Sequence, residues 1–360
     1  MSPMIKEDKL FFPYSQLYQI AFVLPLYKDF GGTFLVRDFR RWIQFKKYMQ
    51  GSNRFEGVRT FLNTPPAKIF DTRKYINWNG VIISPSAIRF HPNNRQITTI
   101  FTGHGSGDKP DYGKDIPEKV AGFDYYFIAG PKQLKMMEDM NVAIPDNKMI
   151  KIGNMRFDDY VNGNIDREQV LDNLGVKDRE RLNILYAPTW SWGDGTLLKY
   201  GYRLCKELYP YFNLIIRPHG HDRMHIPKLR RWVKKEGMKN IYFSNPADLV
   251  RHDTMGDFFI SDLLISDMST IIYEYLITDK PIIVIKNNFK NVHRMPAFLK
   301  IDHIAEYYDE SVNMFALIEQ SFEKQGSKED DYQELRNNCF YFNDGQSTRR
   351  AIDFLSTLKF

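Results

Sequence analysis

Short, continuous runs of apolar residues recur along the chain, each followed by turn residues and a stretch of helical character. In the first half the runs are Ile20–Leu26, Val81–Ser84, Thr98–Thr102, Asp124–Ala129 and Met149–Ile152. In the second half they are Leu182–Ala187, Phe212–Arg217, Ile241–Phe243, Asp262–Ser266 and Pro281–Ile285. Runs that do not alternate with polar residues suit strands covered on both faces, as in parallel sheets. Strands spaced by helical stretches read as βαβ units. The pattern therefore predicts an α/β chain built from doubly wound, Rossmann-like sheets. A fresh series opens at Leu182, after a predicted helix Asp166–Leu174 and the charged stretch Val176–Arg181. That places a boundary within Val161–Arg181 and divides the chain into an N-terminal domain, 1–165, and a C-terminal domain, 166–360. Two such domains in tandem would turn their strand C-termini toward one central cleft, the edge at which these sheets bind ligands. The closing stretch Asp344–Leu355 reads as a helix capped by Ser347 or Thr348, able to pack back on the first domain.

Length supports the division, since 360 residues exceed what one core usually holds together. The 27 Phe and 21 Tyr supply large buried side chains and surfaces for stacking. Two cysteines, Cys205 and Cys339, fit neither a metal-ligand spacing nor a disulfide framework, and read as buried small hydrophobes in a reducing compartment. No segment shows a signal-peptide order or the ~18 apolar residues of a bilayer span, so a cytoplasmic location is expected. The net charge of +6 is concentrated: residues 1–60 hold ten Lys/Arg against five Asp/Glu. Such a basic start favours a phosphate polymer, an anionic membrane surface or nucleic acid, without choosing among them. Within it, Phe39–Met49 is amphipathic, with Phe39, Trp42, Ile43 and Met49 near one face and Arg40, Arg41 and Lys47 on others. It suits either membrane apposition or ordinary packing on the first sheet.

Five segments carry chemistry. Phe101–Lys109 (FTGHGSGDK) ends a strand with three glycines in five positions, which lets the backbone approach an anion. His104 sits in that turn and Lys109 follows within reach of a phosphate; a solvent-exposed turn is the plainer alternative. Leu182–Trp190 ends in Ala-Pro-Thr-Trp, where Thr189 would cap a turn or bind a phosphate oxygen. Leu214–His221 ends in Arg-Pro-His-Gly-His, with Arg217 and His219 projecting at the cleft. His221 and His225 are spaced i, i+4, but nothing resembling HExxH accompanies them, so no metal is expected. Asp262–Tyr275 runs from a strand through Asp267, Ser269 and Thr270 into a helix whose N–H groups suit phosphate; Glu274, one turn in, would reach a ribose. Plain N-capping by Ser269 or Thr270 is the alternative there. The Gly31-Gly32 turn in Tyr27–Phe34 would lie at the same edge, but no GxGxxG accompanies it.

Taken in order over residues 80–355, these segments resemble the CDP-glycerol glycerophosphotransferase family, which builds teichoic acid and related capsule polymers. The shared pieces are His104-Gly105, Gly153-x-x-Arg156-x-Asp158, Tyr186–Thr189, Arg217–His219, Ser266–Thr270, and Asp344-Gly345 with Arg349. The chain departs from the family's usual His-Gly-Thr-Pro-Leu-Lys, reading His-Gly-Ser-Gly-Asp-Lys, and has Gly220-His221 where a second proline is common. The resemblance implies a GT-B fold, no catalytic metal, no cofactor, and a peripheral position on the inner membrane face. It implies His104 and His219 as the catalytic pair. The donor would be CDP-glycerol or a related CDP-polyol, contacted by Thr189, Arg217, Asp267, Ser269, Thr270, Glu274, Gly105 and Lys109; the polyol phosphate would pass to an anionic polymer or lipid-linked acceptor, and CMP would be released. A GT-B sugar transferase or epimerase using a UDP-sugar is the nearest rival. A nucleic-acid binder would leave the strand-end histidines unexplained, so nucleic acid is not an expected partner.

Overall fold

The computed structural model describes residues 9–36, 38–49, 68–69, 79–87, 97–108, 116–289 and 292–358. By its contacts the chain forms two compact units. Unit 1 comprises Met1–His104, Asp111–Gly163 and Phe340–Phe360; unit 2 comprises Gly105–Pro110 and Asn164–Cys339.

Unit 1 is built on a seven-stranded sheet: β1 (Leu10–Tyr14), β2 (Thr33–Val36), β3 (Lys68–Ile69), β4 (Gly80–Ser84), β5 (Ile97–Phe101), β6 (Tyr125–Ile128) and β7 (Met149–Lys151). The order is β3-β2-β1-β4-β5-β6-β7 and every pairing is parallel. Unit 2 holds β8 (Asn183–Tyr186), β9 (Asn213–Ile216), β10 (Ile241–Phe243), β11 (Leu263–Ser266), β12 (Ile282–Ile285) and β13 (Glu306–Tyr308), in the order β10-β9-β8-β11-β12-β13 and again parallel throughout. In each unit the order runs outward from a central strand on one side, then resumes on its other side. That reversal, between β1 and β4 or β8 and β11, is the switch point at which a doubly wound sheet opens a crevice. Strands β4, β8, β9, β11 and β12 are buried along their whole length, which explains their unbroken apolar runs. In unit 2 both faces of this sheet are covered. The helix Leu197–Leu208, for example, buries Leu197, Tyr200, Leu204, Cys205 and Leu208 in one cluster with Ile184, Leu214, Ile216 and Ile265. Burial pushes the Cys205 thiol up to about 12, as suits a packing residue rather than a nucleophile.

The first predicted strand is a correction. Ile20–Leu26 is not a strand: Leu17–Phe22 is a 3-10 turn and Leu24–Phe30 an α-helix. Pro25 stands in the first turn of that helix, where its missing N–H costs nothing, and Gly31 (φ 72°) ends it. The actual first strand, β1, contains Pro13; its ladder to β4 extends only over Leu10 and Phe11, so the proline lies beyond it. The Gly31-Gly32 turn consequently enters β2 at its N-terminal end and lies at the opposite edge from the strand C-termini. A Cβ at Gly32 would meet Leu10 O at 2.9 Å.

Two of the shared sequence pieces have a structural task in unit 1. The helix Ser347–Leu355 takes no side-chain cap from its own N-cap, Gln346, and neither Ser347 nor Thr348 fills that position. Its first N–H groups, of Ser347 and Thr348, donate instead to the Asp158 carboxylate at 3.1 and 2.7 Å. An anion there satisfies orphan donors and suits the positive helix end, a contribution of about 1 kcal/mol. Gly153 (φ 86°) must lack a Cβ, which would fall 2.5 Å from Ser347 Oγ, and Gly345 must lack one because of Asn162 at 2.4 Å. The Arg156 guanidinium stacks on Phe22 at 4.6 Å. Gly153, Asp158 and Gly345 thus clasp the last helix within unit 1, and Arg156 packs on the Leu17–Phe22 turn.

Candidate functional site

Three loops at the C-terminal ends of adjacent strands in unit 2 form the candidate site. They follow β8, β9 and β11, on both sides of the switch point. Asp267, buried to 1% exposure, organises two of them. Its carboxylate accepts from Thr189 N at 2.8 Å, Thr196 N at 3.0 Å and Thr196 Oγ1 at 2.9 Å. Because Thr196 gives its hydroxyl proton to Asp267, the Tyr186 hydroxyl 2.9 Å away donates to Thr196. Burial pushes the Asp267 carboxyl up to about 6, against these donors. Thr189 is itself buried. Asp267 therefore positions the loop after β8 rather than facing solvent.

Arg217 differs from its expected place. It is buried to 6%, and its Nη1 donates to Asp257 Oδ2 (2.7 Å), Ser244 Oγ (2.8 Å) and His252 O (2.8 Å). Ser244 donates in turn to Asp257 at 2.5 Å. Burial raises the Asp257 carboxyl above its ordinary range, opposed by the guanidinium beside it. A cation so engaged fixes the exit of β9, on which the next residues, Pro218 and His219, follow.

His219 is half-buried at the end of this exit. The His221 backbone N–H donates to its Nδ1 at 3.2 Å, which puts the proton of the neutral ring on Nε2. The loop is pinned to the one after β8 by Asp222, 3% exposed, which accepts from Ser191 N (2.9 Å) and Ser191 Oγ (3.1 Å). Asp222 was missed in the sequence. The only signal was an acid just beyond the histidine pair, and acids after a turn are too common to stand out.

The loop after β11 reaches Ser269 and Thr270. The helix that follows, Ile271–Glu274, has one turn before continuing as a 3-10 helix to Thr278, so its dipole is small and individual donors matter more. Thr270 makes no side-chain cap bond, and Ser269 Oγ accepts from Ile271 N only at 3.5 Å. Against Thr270 packs the glycine segment of unit 2. A Cβ on Gly105 (φ 120°) would lie 2.1 Å from Thr270 Cγ2, and one on Gly107 would lie 2.7 Å from Thr270 Oγ1. These glycines admit Thr270, a close approach that the sequence reading assigned to a ligand. Asp108 holds the segment, accepting from the Tyr273 hydroxyl at 2.5 Å through its side chain and from His293 N at 2.7 Å through its carbonyl. Glu274 is buried to 4%. Lys109 lies outside the described residues.

His104, the residue bonded to Gly105, belongs to unit 1. Its Nδ1 lies 2.7 Å from Pro85 O; a carbonyl only accepts, so Nδ1 carries the proton and Nε2 keeps the lone pair. Pro85 is held between Ser84, whose hydroxyl donates to Ser86 O at 2.8 Å, and Ser86, whose hydroxyl donates to Gln19 Oε1 at 2.8 Å. Tyr18 packs on the imidazole at 5.9 Å. Sequence reasoning missed Tyr18 and Gln19, which directly precede the run Ile20–Leu26 read as a strand, and Ser86, a plain serine in the turn after β4.

The family model described as CDP-Glycerol:Poly(glycerophosphate) glycerophosphotransferase matches residues 101–357. No curated protein matches the chain in sequence. Among solved structures it resembles the wall teichoic acid polymerase TagF, at 17% identity and TM-score 0.66, covering 98% of this chain and 88% of that one. It also resembles a putative UDP-N-acetylglucosamine 2-epimerase from Listeria monocytogenes, at 13% identity and TM-score 0.58 over 97% and 95% of the two chains. A UDP complex of S. aureus MnaA matches at 15% identity and TM-score 0.56, over 97% and 96%. The fold is α/β of the GT-B type.

Proposed function

Because the chain belongs to the CDP-glycerol:poly(glycerophosphate) glycerophosphotransferase family, we propose that it transfers a polyol phosphate, glycerol phosphate first among them, from a CDP-activated donor to a hydroxyl of a cell-envelope or capsule polymer, releasing CMP. The observation that supports this most is the pair of strand-end histidines with opposite proton positions, Nδ1–H on His104 and Nε2–H on His219. In the proposed reaction His104 Nε2 takes the proton of the acceptor hydroxyl. The acceptor oxygen bonds to the distal phosphorus, the bridge to the proximal phosphorus breaks, and its electron pair leaves with CMP. His219 Nε2–H donates to an oxygen of the transferred phosphate as charge builds there. Ser269 and Thr270 hold the pyrophosphate, Glu274 the ribose, and Lys109 a phosphate. Thr189, Arg217, Asp267 and Gly105 act as positioning residues, a change from direct contact that follows from the protein partners already engaging them.

The epimerase-like structures share the fold, which does not fix the chemistry; the family match favours the CDP-polyol. The purified chain is expected to release CMP from CDP-glycerol or CDP-ribitol, and to lose that release in His104→Ala and His219→Ala. UDP or UMP release from a UDP-sugar panel, with none from a CDP-polyol, would overturn the donor class. We also propose that the exposed Phe39 (62%) and Ile43 (49%) let the helix Phe39–Met49 touch an anionic membrane, while its buried Phe45 packs on Tyr14 and Phe34. Cosedimentation with anionic vesicles should weaken in Phe39→Ser/Ile43→Ser; unaltered binding would remove the membrane contact.

A further inference from the structure

The loops after β8 and β9 also carry a group of aromatic rings that the proposed reaction leaves unused. Trp190 lies 5.1 Å from Trp192, 4.7 Å from His221 and 5.9 Å from His219, the last pair nearly parallel at 24°. His219 and His221 are 5.2 Å apart, and Trp192 is 6.4 Å from Phe289. The rings are fixed from both sides. Asp222 ties the Ser191 turn to the histidine loop, and Asp194 accepts from Asn288 N at 2.5 Å, holding the turn to the loop after β12. Trp192 is nevertheless 51% exposed, a large apolar face kept in water beside Trp190, which itself packs on His219. His221 is exposed as well, and stands where this chain departs from the second proline of the resembling family.

What such a wall can receive follows from where it stands. In a CDP-polyol a phosphate and a ribose separate the base from the reacting phosphorus, so a ring wall that includes His219 is too near the chemistry for the cytosine. It meets the polyol or the acceptor. An acyclic polyol phosphate has no continuous C–H face, whereas a sugar ring offers one side of C–H groups that covers an indole while its hydroxyls stay hydrated. We propose that the Trp190–Trp192–His221 wall binds a sugar ring of the acceptor, so that the hydroxyl taking the polyol phosphate belongs to a saccharide-bearing acceptor rather than to a bare polyol-phosphate chain. The sugar oxygen bonds to the distal phosphorus, its proton passes to His104, and CMP leaves with the electron pair of the broken bridge. This inference rests on the glycerophosphotransfer reading of the same site.

Two readouts on the full chain separate the inference from that reading. The first is tryptophan fluorescence titrated with methyl glycosides of glucose, galactose and N-acetylglucosamine, without donor. Saturable quenching is expected, weakened about tenfold in Trp192→Ala and less in Trp192→Phe. The second is CMP release from CDP-glycerol with an aryl glycoside or with oligo(glycerol phosphate) as acceptor. The glycoside should be the better acceptor, and Trp192→Ala should raise its KM about tenfold with a smaller change in kcat. Turnover with oligo(glycerol phosphate) alone, or a glycoside KM indifferent to Trp192→Ala and Trp192→Phe, would overturn the inference and leave the reading standing. Quenching that depends on Trp192, with no CMP released from any CDP-polyol, would support the sugar wall and overturn the reading.

Discussion

The two histidine turns are built alike and set oppositely. Each follows a parallel strand with a buried C-terminal end, β5 or β9, and each places its histidine beside a glycine. One backbone contact distinguishes them. At His104 a carbonyl, Pro85 O, faces Nδ1 and must receive a proton; at His219 an N–H, that of His221, faces Nδ1 and must give one. The same side chain becomes a lone-pair holder in one turn and a donor in the other, and the difference lies in the backbone around it. The supports differ as well. The His104 turn rests on neutral hydroxyl and amide groups, Ser84, Ser86 and Gln19, whereas the His219 turn hangs from the buried ion pair of Arg217 with Asp257.

The largest effects should come from the histidines. His104→Ala and His219→Ala are each expected to lower turnover by about a thousandfold. Glutamine sharpens the comparison, because an amide donates but is not a base. His219→Gln should recover part of the loss and His104→Gln none; equal recovery at both would break the contrast. Next comes the support of the second turn. Arg217→Ala leaves Asp257 buried and alone, which should cost about 3–5 kcal/mol in urea unfolding. A loss below about 1 kcal/mol would mean the pair does not hold the turn.

The Asp267 hub predicts a pH dependence of stability. Its carboxyl stands at about 6 in the fold against an ordinary 3.8, so the folded chain holds the proton more tightly. Its contribution is complete below about pH 4 and lost as pH rises through about 6, a change of about 3 kcal/mol at most. Urea midpoints across that range should therefore slope downward with pH from this group, and the slope should flatten in Asp267→Asn. An unaltered slope in the variant would assign it to other groups. The smallest effect belongs to Gly105→Ala, whose Cβ would press on Thr270 Cγ2 at a φ of 120°. A loss of about 2 kcal/mol is expected, partly restored by adding Thr270→Ser. Full additivity of the two changes would deny the contact.

The parallel strands of unit 2 were legible because burial on both faces leaves apolar runs that only such sheets explain. The start of unit 1 was not. Ile20–Leu26 and Leu10–Tyr14 are both short apolar runs with a proline, and periodicity does not separate a buried strand from a buried helix turn at that length. In the site, the chemistry-bearing types stood out while their partners did not. Arg217 finds Asp257 forty residues on, Gly105 finds Thr270 in another segment, and the last helix is capped by Asp158 from the far end of unit 1. Position along the chain carries no sign of such meetings, so the partners of these residues had to come from the structure. His104 and His219 kept their expected place at strand ends, but the proton positions required the neighbouring backbone.

The most direct test is the proton position itself. Long-range 1H–15N correlation spectra of chain labelled at histidine ring nitrogens, assigned through His104→Ala and His219→Ala, report which nitrogen carries the proton in each neutral ring. Nδ1–H is expected for His104 and Nε2–H for His219. The same tautomer at both positions would contradict it.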